Sequence, residues 1–170
     1  MMLGKTFIKY HTKTALKKNT AKRQNVSFPE AKSIGIIHTY CDSGSLEEVY
    51  SFFDLLENQG KKISVIILKD KKQDLKVPEF GLVDFQDLSS VGKWSNGPVT
   101  DFFETPFDYL FHLDLEGNGL TDNILANSRA KCRVGKFINE KEQFYELMVQ
   151  PEKENLQKLI KQIYQLIKRF

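Results

Sequence analysis

The chain has 170 residues, 41% hydrophobic and 28% charged, a composition that suits one domain with a single buried core and excludes a disordered chain. No apolar run reaches the roughly 20 residues needed to cross a bilayer, and the N-terminus lacks the apolar core and cleavage site of a secretory signal, so a cytoplasmic location is expected. Net charge is only +3, but it is unevenly distributed: residues 1–25 carry seven basic side chains and no acid, against 18 basic and 22 acidic residues in the remainder.

In chain order, residues 3–22 read as a helix. Proline is absent, and Lys5, Lys9, Lys13 and Lys17 recur every four residues along a slowly drifting face. Leu3, Phe7, Tyr10 and Thr14 form the stripe expected to pack on the body. A linker at residues 25–31 leads to a buried strand at 33–40, then to a helix opened by a Ser45/Glu48 capping-box pattern and closed near Gly60. A second strand at 61–68 completes a parallel βαβ unit. Residues 69–76 are a charged connection, residues 81–88 a short third strand, and residues 89–98 a loop whose Trp94 is expected to close over the core. Residues 99–106 make one helical turn, with Phe102 and Phe103 inward.

The organising stretch is residues 107–135. An aromatic strand at 107–115 is broken by Glu116-Gly117-Asn118-Gly119 and followed by a helix from Leu120 to Ala130 and a strand at Cys132-Arg133-Val134-Gly135. An edge strand at 144–149 and an amphipathic helix opened by Pro151 end the chain, with Leu156, Leu159, Ile160, Ile163, Leu166 and Ile167 expected to lie on the sheet. Both Cys41 and Cys132 are expected to be buried core thiols, since neither has a partner at metal-ligand spacing.

Asp108-Tyr109, Asp114-Leu115-Glu116-Gly117, Leu125-Ala126 and Arg133-Val134-Gly135 are the residues through which positions 33–137 resemble the N-terminal domain of the heptosyltransferase-like, GT-B glycosyltransferases. The whole chain also resembles an uncharacterised family of small cytoplasmic Bacteroidetes proteins. The first resemblance implies topology, and the elements in order read as a three-layer, Rossmann-like α/β domain over residues 33–170 with a mostly parallel sheet of about five strands, plus a basic helix in residues 1–25 and a C-terminal amphipathic helix. It also implies a sugar-ligand crevice. That family's first strand leads into a Gly-Asp pair, whose place is taken here by Cys41-Asp42-Ser43-Gly44, so a free-standing transferase is not expected.

In such a sheet the strand at 33–40 lies beside the strand at 107–115, where the winding reverses and ligands bind. This gathers Asp42, Ser43 and Ser45 with Asp114, Glu116 and Asn118, above His38 and His112. A carboxylate there can serve as a general base beside a proton-carrying histidine, or as an oxygen ligand to a hard cation. The same residues also suit helix caps, turn acceptors and core histidines. No G-x-G-x-x-G fingerprint or P-loop is present, and neither a cofactor nor a resident metal is expected.

The leading expectation is a non-catalytic binding protein that uses Lys5, Lys9, Lys13, Lys17, Lys18, Lys22 and Arg23 on RNA, on a ribosomal surface or on an acidic protein. Contact with anionic lipid is a further reading. A glycosyltransferase-like enzyme or sugar-binding half-domain, using the crevice candidates Asp42, Asp114, Glu116, His38 and His112, is the alternative. Nine acids between Glu79 and Asp122 face one basic residue, Lys93. Whether they neutralise the basic helix is left open by composition.

Overall fold

The β-branched and aromatic runs form the strands expected of a sheet covered on both faces. In the computed structural model, residues 2–69, 73–95 and 97–170 are described, and the side chains of residues 2–6 lie outside that description. The strands are β1 (Ser33–Thr39), β2 (Lys62–Leu68), β3 (Gly81–Val83), β4 (Tyr109–His112), β5 (Cys132–Lys136) and β6 (Leu147–Val149). They pair in the order β3-β2-β1-β4-β5-β6, and every pairing is parallel. The described sheet thus has six strands where about five were expected. β6 is the C-terminal half of the edge strand expected at 144–149, shortened because residues 142–144 form a 3-10 turn.

The helices are α1 (Met2–Lys18), α2 (Ser43–Glu57), α3 (Gly97–Glu104), α4 (Gly119–Asn127) and α5 (Leu156–Ile167). α2 and α5 share one core with the β1, β2 and β4 side chains of that face, built on Ile36, Phe52, Phe111, Leu159 and Ile163. α1, α3 and α4 share the opposite core through Ile8, Phe102, Phe103, Leu110 and Ile124. These are the two outer layers of a doubly wound fold. The buried face of α5 is the expected stripe, except that Leu166 is only half-buried.

Several boundaries differ from the sequence reading, each for a local reason. α1 ends at Lys18, and the next backbone turns away with Asn19 Nδ2 donating to the carbonyls of Ala126 and Ser128 at 2.8 and 2.9 Å. Its packed face is Ile8, Thr12, Ala15 and Leu16, whereas Phe7 is 40% and Tyr10 65% exposed. Helix α2 is capped by Asp42, one turn earlier than the Ser45 reading: Asp42 Oδ1 accepts from Ser45 N at 2.7 Å, and Ser45 is the reciprocal member of the box. After β3 the chain enters a 3-10 turn at Phe85–Asp87, so that strand stops at Val83. α5 starts at Leu156 behind the Asn155 cap, not at Pro151. Cys132 is buried but Cys41 is exposed, which corrects the pairing of both as core thiols.

Trp94 does lie against the core, half-buried beside Leu88 on the α1/α3/α4 side. Its loop reaches α1 through Gly92, whose φ of 73° and close approach exclude a side chain: a Cβ there would lie 2.8 Å from Phe7 Cβ and 2.9 Å from Ile8 N.

At the lower end of the sheet Asp108 ties β4 to β1. Its Oδ2 accepts from Lys32 N and Ser33 N at 2.7 and 3.0 Å, and Lys131 Nζ donates to Oδ1 at 2.7 Å. Burial alone would raise its pKa, but the Lys131 hydrogen bond and the two backbone donors outweigh burial and hold it at about 2. Because the folded value lies below the unfolded one, this stabilisation is present in full above the unfolded pKa and fades as pH falls towards 2. Asp108→Asn is therefore expected to cost on the order of 1–2 kcal/mol at pH 6 and about half as much at pH 3, read as converging denaturant midpoints of the two proteins. Equal gaps at both pH values would refute this account of Asp108.

Candidate functional site

The β1/β4 junction gathers a hydrogen-bonded cluster. His38 and His112 point to opposite faces of the sheet because they lie on neighbouring strands in offset register, Ile37 of β1 being the residue aligned with His112 of β4. Both are buried, at 2% and 1% exposure, and Asp114 just past β4 is 5% exposed between them. Asp114 Oδ1 accepts from Thr39 N at 2.7 Å and lies 3.1 Å from His38 Nδ1; Oδ2 accepts from Thr39 Oγ1 at 2.5 Å and meets His112 Nε2 at 3.0 Å. Asn118 Nδ2 donates to Thr39 Oγ1 at 3.0 Å while its Oδ1 caps α4.

The donors on Asp114 decide its ionisation. Burial would raise its pKa, but the charge and hydrogen bond of His112, followed by those of His38, hold it well below the usual carboxylate range. With both oxygens accepting, His112 Nε2 and His38 Nδ1 act as donors. On the other side of the ring His112 Nδ1 lies 2.7 Å from the Tyr145 hydroxyl. Burial, with the nearby charges of Asp122 and Asp114, pushes the Tyr145 phenol up, so its proton stays available to donate. The Tyr145 ring lies over Gly135 of β5, where a Cβ would lie 2.5 Å from Cε1. That glycine gives the tyrosine its place. Neither Thr39 nor Tyr145 was among the sequence candidates; Thr39 ends a strand and Tyr145 follows a 3-10 turn, positions with no pattern to mark them.

On the other face His38 Nε2 lies 3.3 Å from Ser45 Oγ. Hydroxyl, imidazole and carboxylate thus follow one another in the order of a nucleophile, its base and the group that orients it. Ser45 is, however, committed to the α2 cap: its hydroxyl donates to Asp42 O at 2.8 Å and accepts from Asp42 N at 3.3 Å. His38 Nδ1 is likewise shared with Leu113 O at 2.7 Å. The arrangement is a closed chain that crosses the sheet edge from Ser45 to Tyr145 and joins its two faces.

The remaining crevice candidates stand outside this chain. Asp42 is exposed and capping, and Glu116 is exposed beyond the cluster. The Cys41 thiol is pushed up by partial burial and by the negative charges of Asp114, Asp42 and Glu116, which disfavours the nucleophilic thiolate. Among the described residues, no group of three or more His, Cys, Asp and Glu side chains is arranged to hold a metal ion.

The basic candidates divide differently. Lys9, Lys13, Lys17, Lys18 and Lys22 are exposed, and among the described residues none makes an ion pair. Lys5 lies on α1, but its side chain is outside the described residues. Arg23 is half-buried: its guanidinium hydrogen-bonds the Ala130 carbonyl and lies 3.6 Å from Glu146. The central acids have partners elsewhere, Glu104 with Arg129, Asp108 with Lys131 and Asp122 with Lys141. Asp84 and Asp87 form the box of the 3-10 turn. Direct neutralisation of the lysine row by these acids is thus not what the described fold contains.

Beside α1 lies a groove of about 380 Å³ between that helix, the Trp94 loop, α3 and α4. It was not foreseen from the sequence, since its walls come from four separate segments. Among the described residues no helix is long and apolar enough to cross a membrane. No curated protein matches the chain. The model of the family described as "Family of unknown function (DUF6913)" matches residues 5–170, and the chain belongs to that family.

Proposed function

We propose that this protein is a non-catalytic binding protein that engages single-stranded RNA through the outward face of α1. The observation that carries the reading is the set of four exposed lysines, Lys9, Lys13, Lys17 and Lys18, on a helix pinned by its opposite face, with Lys22 exposed just past its end, none with an acidic partner among the described residues. A lysine row that repels itself and is left unpaired is stabilised by an external polyanion. Ile8, Ala15 and Leu16 of α1 pack on the core, and the exposed Phe7 and Tyr10 alone make too narrow an apolar face among the described residues for a bilayer surface, which favours a polyanion. The exposed Tyr10 beside the lysines adds an aromatic surface of the kind on which unpaired bases stack.

The test is fluorescence anisotropy of a labelled single-stranded RNA titrated with the full chain at salt concentrations from about 50 to 200 mM. Each phosphate neutralised on a single strand contributes about −0.7 to the log–log salt slope, so engagement of about four lysines gives a slope near −3. Binding that ignores salt, or no anisotropy change at the lowest salt, overturns the proposal.

A further inference from the structure

The groove beside α1 carries groups that complement a nucleotide. Trp94 forms part of its wall, and its indole is held in place from behind: Nε1 donates to Asn123 Oδ1 at 2.8 Å, Asn123 Nδ2 donates to Thr12 Oγ1 at 2.9 Å, and Thr12 Oγ1 donates to Ile8 O at 2.8 Å. The N–H of Trp94 is therefore used, and what the half-buried ring offers a ligand is its aromatic surface.

Asn127, on the α4 wall, donates Nδ2 to Asn123 O at 2.9 Å and to Asn123 Oδ1 at 3.1 Å. Those bonds fix which end of the amide faces away, and they leave its carbonyl oxygen as an acceptor without a protein donor among the described residues. Lys18 and Lys93 stand exposed at the rim with no acidic partner among those residues, and Thr14 adds a hydroxyl. The groove thus presents an aromatic ring, one fixed acceptor and two ammonium groups. The volume is in the range of pockets that take small organic ligands.

We infer that this groove receives one unstacked adenine or cytosine base of the single-stranded RNA that the lysine face holds. The base packs against Trp94, its exocyclic amino group donates to Asn127 Oδ1, and the flanking phosphates meet Lys18 and Lys93. Uracil has a carbonyl where cytosine has that amino group and places an acceptor against an acceptor, so the groove selects against it. The inference rests on the RNA reading and adds to it a base-binding site and a preference.

Trp94 is the sole tryptophan, so tryptophan emission, excited beyond the tyrosine band, reports on this groove. The experiment titrates the full chain at about 50 mM salt with end-labelled oligoadenylate and oligouridylate of equal length, following anisotropy and tryptophan emission together, with adenosine monophosphate as a separate arm. The expected result is emission quenching that saturates with the anisotropy for oligoadenylate, with weaker binding of oligouridylate. Trp94→Leu is expected to weaken oligoadenylate binding about 5- to 150-fold by anisotropy, the range for losing one stacked base. Lys93→Ala alters only an exposed side chain and is expected to weaken binding several-fold whatever the folding of the tryptophan variant. Anisotropy that saturates with unchanged emission overturns the groove inference and leaves the lysine surface standing; no anisotropy change overturns both. Quenching by the monophosphate without RNA binding assigns the groove to a free nucleotide and overturns the RNA source.

Discussion

Asp114→Ala is expected to be the most destabilising single change at the β1/β4 junction, lowering stability by about 3–5 kcal/mol, the usual cost of removing one partner of a buried charged network. The variant strands the backbone N–H of Thr39 and Nε2 of His112 and takes from His38 Nδ1 one of its two acceptors, Leu113 O being the other, and each buried donor left unmet carries its own desolvation penalty. For a chain of this length the loss corresponds to a fall in Tm of roughly 10 °C or more. Asp114→Asn keeps the volume and one acceptor but turns an amide N–H towards donors, so it is expected to lose most of the same stability. Thermal and denaturant unfolding of both variants checks this, alongside RNA binding by the folded fraction, which should be unchanged. A variant that keeps its Tm while losing a ligand would reverse the assignment and make the junction a binding crevice. The pH dependence carries the same sign: with the folded pKa of Asp114 held low, its contribution is present above the unfolded carboxylate value and is lost as pH falls below it.

Reversing the lysine row, by Lys9→Glu, Lys13→Glu and Lys17→Glu together, should abolish RNA binding while leaving the fold in place. These three side chains are exposed, and the face of α1 that carries Ile8 and Thr12 is untouched. Losing three phosphate contacts and adding three repulsions is expected to lower affinity by at least about 100-fold at low salt and to flatten the salt slope, since both depend on the number of phosphates neutralised. The repulsion within the row is read from a different variant, because three glutamates at these positions repel one another as the lysines do. Like charges four residues apart destabilise a helix by about 0.2–0.5 kcal/mol per pair, so Lys13→Gln, which removes the repulsions with Lys9 and Lys17, should raise the Tm slightly as it weakens RNA binding. That opposed pair of changes marks a surface held in repulsion by a binding role. Unchanged affinity in the triple variant would remove α1 as the contact.

The contrast between the two predictions follows from what each set of residues does in the fold. Asp42, Ser45, Asp114, His38 and His112 were gathered from chain order and from the strand order that the resemblance implied, and the structure does bring Ser45, Asp114, His38 and His112 together, because β1 and β4 are neighbours and the end of a parallel strand adjoins the start of the next helix. Legible in advance was that proximity. Hidden was whether the groups would face solvent or one another, which depended on Thr39, Tyr145 and the small Gly135 beneath the tyrosine ring. The lysine face was legible as charge, yet Arg23 left the group because Glu146, 123 positions later, lies beside it. Phe7 and Tyr10 were read as the packed stripe of α1, while Ile8 and Thr12 fill that role. Helical periodicity identifies an amphipathic face only coarsely when the polar side includes aromatic residues.

By itself, then, the sequence determined the alternation of strands and helices, the doubly wound α/β class and the acid-free charge of the N-terminal helix, because these depend on local periodicity, capping and composition. The tertiary structure alone decided the all-parallel pairing of the described strands, the closure of the Asp114 cluster, the lysines left without ion pairs among the described residues and the groove at Trp94. Each of these depends on distances between segments far apart in the chain, and such distances are set by how the two helical layers settle on the sheet.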